Sequence, residues 1–410
     1  MEQFITVERA RELILADVKV PLSLEKVDLL AALGRILGEN IIADRDLPPL
    51  DNSAMDGYAL ISADSENAAV KPVPLPVIAE IPAGQFWNGT LETGQAIRIM
   101  TGAPLPAGAD AVVRREYVDE LGDKIVLKRV VAAGNDIRRA GEDVAAGNIV
   151  LNAGDPVTPA VVGMLAAVGV PYVSVIRRPR VAILATGDEI IDFHQPPGPG
   201  LIRNSNSYSM AALVIQAGGL PQVFPITGDD PEEVRKNLQA AAESNDVVVS
   251  SGGVSMGDYD YLKDVLGALP GAEIRFWQVR MKPGKPLLYG RYAGKSFFGL
   301  PGNPVSTMVS FEQFVRPAMK KMSGWPEHQL LLKKTQARAE FALPSTGKRR
   351  HYVRGRVEID ENGLQQVTLT GAQGSGILNS MVRGNCLVPV EAGSRGISVG
   401  DQVEIELLDY

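Results

Sequence analysis

The stretch DVVVSSGGVSMGD, Asp246–Asp258, decides the fold. A short run of β-branched residues stops at a serine and two glycines, and helical sequence follows, as where a buried strand meets a ligand-facing turn. The same unit recurs on both sides. Apolar runs at 181–185, 222–226, 274–280 and 296–300 alternate with helical stretches near 205–217, 231–243, 258–268 and 304–322. Strands alternating with helices of this length form βαβ units and a mostly parallel, doubly wound sheet. Asp230-Pro231-Glu232-Glu233 supplies an N-cap, an N1 proline and a capping-box glutamate for one of these helices.

Outward from this segment the texture changes. Residues 5–45 read as helical, with Val7, Ala10, Leu13, Ile14 and Val18 on one face and a second helix from Leu24 to Leu37 capped by Gly38. From Asp46 to about Gly147, prolines and glycines punctuate short runs such as Val73–Ile81, Ala96–Met100, Ala111–Arg115 and Lys124–Val131, the rhythm of small β-structure. Helix returns at Thr158-Pro159 and runs to Gly169, and after Trp325-Pro326 short strands resume to Val403–Leu408. Four domains follow: a helical linker domain (1–46 plus 147–178), a small β-domain (47–146), the α/β domain (179–326) and a C-terminal β-barrel-like domain (327–410).

The chain has 410 residues, 45% hydrophobic and 22% charged, with a net charge of −7. That acidic balance argues against non-specific binding to nucleic acid or an anionic membrane. No run of about 18 apolar residues is present, so no membrane span is expected. Met1-Glu2-Gln3-Phe4 opens no signal peptide, and a cytoplasmic protein is the expectation. The single cysteine, Cys386, reads as a buried, inert thiol.

In an open α/β sheet, ligands bind beyond the carboxyl ends of the strands. Four loops fall there: Thr186-Gly187-Asp188-Glu189, the turn opening with Ser251-Gly252-Gly253, Met281-Lys282-Pro283-Gly284-Lys285-Pro286, and Pro301-Gly302-Asn303-Pro304. Glycines without Cβ atoms let backbone N–H groups approach a phosphate, and Lys282 and Lys285 add full positive charge. Asp188, Glu189, Asp258 and Asp260 would repel an anion unless a divalent cation lay between, and Mg²⁺ prefers a few carboxylates together with substrate oxygens. Each feature alone is an ordinary turn, cap or solvated charge; their coincidence at strand ends carries the reading. His194, His328 and His351 have no zinc spacing, and hydrolase-triad, P-loop and Rossmann fingerprints are absent from the sequence.

Seven motifs occur in the order seen in MoeA-type molybdopterin molybdotransferases, the family that includes the gephyrin E-domain. They are Asp51-Asn52-Ser53-Ala54-Met55-Asp56-Gly57-Tyr58, Arg98–Pro104, Arg139-Ala140-Gly141-Glu142-Asp143, Thr186–Glu189, Ser250–Ser255, Lys282–Pro286 and Leu300–Pro304. The resemblance implies an elongated homodimer that uses Mg²⁺ to insert molybdate into adenylyl-molybdopterin with release of AMP. It points to the molybdopterin adenylyltransferase and molybdenum-enzyme maturation proteins as partners. It further implies that Asp56, Thr101 and Asp143 act in trans, and that Glu189, Asp229 and Asp260 form the acidic, metal-holding set. Ser251, Gly252, Gly253, Lys282, Lys285 and Ser306 would bind substrate, with Pro301 and Pro304 shaping their loop and Arg354 and Ser375 as further candidates for molybdate. Gln278 stands where many relatives have lysine, and Arg280 is the residue that could substitute. A scaffold role and an adenylyltransferase or nucleotide amidase are the competing readings. ATP consumption with free molybdopterin would favour the adenylyltransferase.

Overall fold

The computed structural model describes residues 1–18, 21–253, 262–345 and 347–409, which fall into two compact units. The larger unit holds residues 1–26, 34–38 and 174–410. Its centre is a seven-stranded sheet of β1 (Glu2–Ile5), β2 (Arg180–Ala185), β3 (Leu220–Val223), β4 (Val247–Ser251), β5 (Glu273–Val279), β6 (Leu288–Tyr292) and β7 (Lys295–Leu300), in the order β1-β5-β6-β7-β4-β2-β3. Only β6 runs against its neighbours.

The period-2 geometry of a strand sends alternate side chains to opposite faces, and the sequence loads both with apolar groups. From β2, Val181 and Ile183 pack with α1 (Val7–Asp17), α2 (Asn206–Gln216) and the helix from Pro304. Ala182 and Leu184 pack on the other face with α3 (Pro231–Ser244) and α4 (Leu262–Ala268). The sheet is therefore doubly wound, as the alternation of strands and helices implies. The expected helix 304–322 is α5 (Pro304–Ser310), a π-helical turn (Phe311–Val315) and α6 (Arg316–Met322) in succession. Asp230 caps α3 by accepting from Glu232 N at 3.0 Å.

Two strands of this sheet depart from the sequence reading. Residues 2–5 form β1 and pair in parallel with β5, so the N-terminus is built into the α/β layer together with α1. Leu288–Tyr292 returns to β7 through a two-residue hairpin at Ala293-Gly294, both at positive φ. The expected second helix, Leu24–Leu37, is instead a strand, Leu24–Asp28, followed by a four-residue helix, Leu29–Ala32. Asp28 caps that helix through Leu30 N and Ala31 N, and Gly34, at φ +75°, follows its end.

C-terminal to the sheet, strands Lys334–Ala339, Arg350–Ile359, Gln365–Leu369, Cys386–Val390 and Gln402–Leu407 close on one another as a five-membered ring around Ala337, Val353, Val367, Val388 and Ile405. Met281–Lys282 adds to this barrel as a parallel strand, with Lys282 paired to His351. Cys386 is buried in the barrel core, where desolvation pushes its thiol up to about 12.

The second unit holds residues 27–33 and 39–173. Its main sheet has six strands, ordered Ala111–Arg114, Gly57–Leu60, Ala96–Ile99, Val73–Ile81, Lys124–Leu127 and Val118–Leu121. The helix Pro159–Ala167 is capped by Thr158 Oγ1, which accepts from Val161 N.

Candidate active site at the carboxyl edge of the sheet

All four expected loops leave strands on the same edge of the seven-stranded sheet. At the centre β4 ends in Ser251, and Gly252 and Gly253 turn the chain at φ +98° and +69°. A Cβ on Gly252 would lie 3.0 Å from Thr186 O, and one on Gly253 3.2 Å from Leu262 Cβ, so the turn admits no side chain without displacement. Gly252 N donates to Leu300 O at 3.1 Å, tying this turn to the end of β7.

On one side of the turn lies a cavity of about 500 Å³, lined by Lys282, Pro283, Lys285, Pro301, Ser306 and Ser375, with Asn303, Arg349, Gln373 and Gly374 among its other walls. The barrel supplies its far wall, and Val305 N donates to Ser375 O at 3.1 Å where the two domains meet. Thr307 Oγ1 donates to Pro301 O at 2.5 Å, fixing the loop that opens at Pro304. Three cationic side chains, a serine from α5 and a serine from the barrel thus converge on one concave surface, the arrangement an oxyanion requires.

Arg354 does not line this cavity. It is fully buried behind it, donating to Ser380 Oγ, Tyr352 O and Gly374 O, and so braces the loop that carries Ser375. Burial without a carboxylate partner pulls its guanidinium down to about 10. Arg349, two positions into the basic run Lys348-Arg349-Arg350, takes the place at the wall. Arg280 is not among the residues lining this cavity: its Nε donates to Phe4 O at 2.7 Å and its guanidinium sits over the Phe4 ring.

On the other side of the turn a cavity of about 690 Å³ is lined by Gly187, Asp188, Asp192, Asn204, Tyr208 and Gly228, with Val223–Ile226 as an apolar wall. Here the acidic loops meet. Asp229 N donates to Asp188 Oδ1 at 3.1 Å, and Thr186 bridges to Thr227. Glu189 and Asp229 therefore stand on adjoining loops. Asp258 and Asp260 lie outside the described residues, and among the described residues no group of three or more His, Cys, Asp or Glu is gathered as a ready metal site. Two carboxylate loops beside a glycine turn nevertheless match the donor set of Mg²⁺, which takes one or two carboxylates and completes its shell with water and substrate oxygens.

Asp56, Thr101 and Asp143 lie in the second unit. Asp56 and Thr101 are in contact, and the Thr101 backbone N–H followed by its hydroxyl holds the Asp56 carboxyl below its ordinary range. Asp51 accepts from Ala140 N and Arg139 Nη1, which joins two of the motif loops. Asp143 is exposed, and its N–H donates to Leu47 O.

Fold and site together define a multidomain α/β protein with a cationic cavity and a carboxylate-bordered cavity at one sheet edge. Three family models cover the chain: "MoeA N-terminal region (domain I and II)" over residues 5–169, "Probable molybdopterin binding domain" over 182–321, and "MoeA C-terminal region (domain IV)" over 336–408. A Molybdopterin molybdenumtransferase of Nostoc sp. is 40% identical over 92% of this chain and 87% of its own length. One of Haemophilus influenzae is 35% identical over 99% of both. The crystal structure of a molybdopterin biosynthesis moeA protein from Pyrococcus horikoshii OT3 superposes with a TM-score of 0.84 at 33% identity, covering 98% of this chain and all of that one. The chain belongs to the MoeA family.

Proposed function

We propose that this protein is a molybdopterin molybdotransferase of molybdenum-cofactor biosynthesis, inserting molybdate into adenylyl-molybdopterin and releasing AMP. The carrying observation is the pair of cavities flanking the Ser251-Gly252-Gly253 turn, one cationic and one bordered by carboxylates. A substrate with a pyrophosphate between two ring systems, taking up an oxyanion, needs both environments at once.

In this reading Lys282, Lys285, Arg349, Ser306 and Ser375 hold molybdate, and the Ser251–Gly253 backbone holds the phosphates. Glu189 and Asp229, with Asp260, hold Mg²⁺, which when bound neutralises charge on the phosphoanhydride. Positioning and charge stabilisation carry most of the catalysis, because little proton transfer precedes formation of the metal–sulfur bonds. Asp56, Thr101 and Asp143 complete the site from the second subunit of a homodimer. We place the reaction in the cytoplasm; among the described residues no helix is long and apolar enough to cross a membrane. The test is AMP release from adenylyl-molybdopterin with and without molybdate, tungstate and Mg²⁺. Release that depends on oxyanion and Mg²⁺ supports the assignment, and release indifferent to both removes it.

A further inference from the structure

Asn206, the first residue of α2, is only 8% exposed and reaches into the gap between two of the site loops. Its Nδ2 donates to Ser251 Oγ and to Gly302 O, each at 2.7 Å. A backbone carbonyl can only accept, so Gly302 fixes which end of the amide faces this pair. Asn206 Oδ1 is buried without a partner among the described residues, so nothing on the opposite side competes for the orientation.

The consequence falls on Ser251. A hydroxyl has one hydrogen and two lone pairs. With a lone pair committed to Asn206 Nδ2, the Ser251 hydrogen is directed away from the amide. Ser251 itself is 4% exposed and sits where β4 gives way to the two glycines. Were the amide absent, the same hydroxyl could turn and donate to Gly302 O, and would then offer a ligand oxygen lone pairs rather than a proton.

We infer that Asn206 is a positioning residue that holds the Ser251 hydroxyl as a hydrogen-bond donor to a phosphate oxygen of the bound nucleotide, while bracing the Ser251-Gly252-Gly253 turn against the Gly302 loop. The inference rests on the assignment of this edge to an adenylylated substrate. Asn206 acts through Ser251, and a double-mutant cycle separates that role from general bracing.

The experiment measures AMP affinity of the full-length protein in Mg²⁺ by calorimetry for wild type, Ser251→Ala, Asn206→Ala and the double variant. Each single substitution is expected to weaken AMP by about tenfold, the scale of one charge-assisted hydrogen bond. The double variant should be no weaker than Ser251→Ala alone, because the amide has nothing left to orient. Losses that multiply to about a hundredfold would overturn the inference and leave Asn206 a loop brace. Ser251→Ala binding AMP like wild type would also overturn it, whether or not Asn206→Ala folds, and would leave the nucleotide assignment standing. Wild-type protein that binds no AMP would remove the assignment and the inference together.

Discussion

Asp56 accepts two hydrogen bonds from Thr101, one from its backbone N–H at 2.8 Å and one from its hydroxyl at 2.7 Å, both on the same oxygen, Oδ1. The second oxygen, Oδ2, is not engaged by either bond, so a residue pinned through one oxygen offers the other with a defined direction.

Asp56→Asn preserves an acceptor for Thr101 while removing the charge. We expect AMP release from adenylyl-molybdopterin to fall by at least about a hundredfold, with the unfolding midpoint shifted by no more than a few degrees. Activity near that of wild type would strip Asp56 of its role, and a collapse in the thermal melt would make the role structural.

Gly252→Ala places a Cβ on backbone at φ +98° and 3.0 Å from Thr186 O. The left-handed backbone alone costs about 1–2 kcal/mol, and the clash displaces the Thr186 loop that carries Glu189. Chemical denaturation should register that loss, and AMP affinity should fall with it. A variant as stable and as active as wild type would contradict the close approach.

Lys285→Ala should weaken tungstate or molybdate binding by tenfold or more while leaving AMP affinity within about threefold, since the lysine lines the cationic cavity and not the carboxylate-bordered one. Equal losses for both ligands, measured by calorimetry, would mean the two cavities are not separate subsites.

His351 is 6% exposed, and burial, then Lys282, Arg354 and Arg349, push its imidazole down to about 4. The unfolded chain, with the imidazole near 6.5, binds the proton first. Stability is therefore fully present above about pH 6.5 and is lost as the pH falls toward 4, by up to about 3 kcal/mol at 1.36 kcal/mol per unit. His351→Gln should flatten that part of the urea-denaturation profile, and an unchanged slope between pH 6.5 and 4 would refute the attribution.

The sheet was legible in the sequence because its central strands are buried on both faces and read as continuous apolar runs, as Val247-Val248-Val249 does. The antiparallel Leu288–Tyr292 was not, since its two-residue turn, Ala293-Gly294, lacks the Asn or Asp that usually marks a hairpin. Glu2–Ile5 is four residues at a sheet edge, too short for a period to register. Among site residues, Lys282 and Lys285 were accessible through motif order and Ser306 and Ser375 through the wider family resemblance, and the structure brings them to one cavity. Arg349 and Arg354 show the limit. Arg349 immediately precedes the strand Arg350–Ile359 and Arg354 lies within it, and only three-dimensional packing decides which faces the cavity and which is sealed behind it. Asn206 was missed because its partners, Ser251 and Gly302, are 45 and 96 residues away.

The dipeptide Met281–Lys282 leaves a strand of one domain and zips into the next. Lys282, a wall of the cationic cavity, is thus anchored to the sheet and to the barrel at once. Chimeras that exchange the C-terminal barrel between relatives should lose molybdate capture unless the 281–286 segment travels with it, which makes the barrel a co-owner of the chemistry and not an appendage.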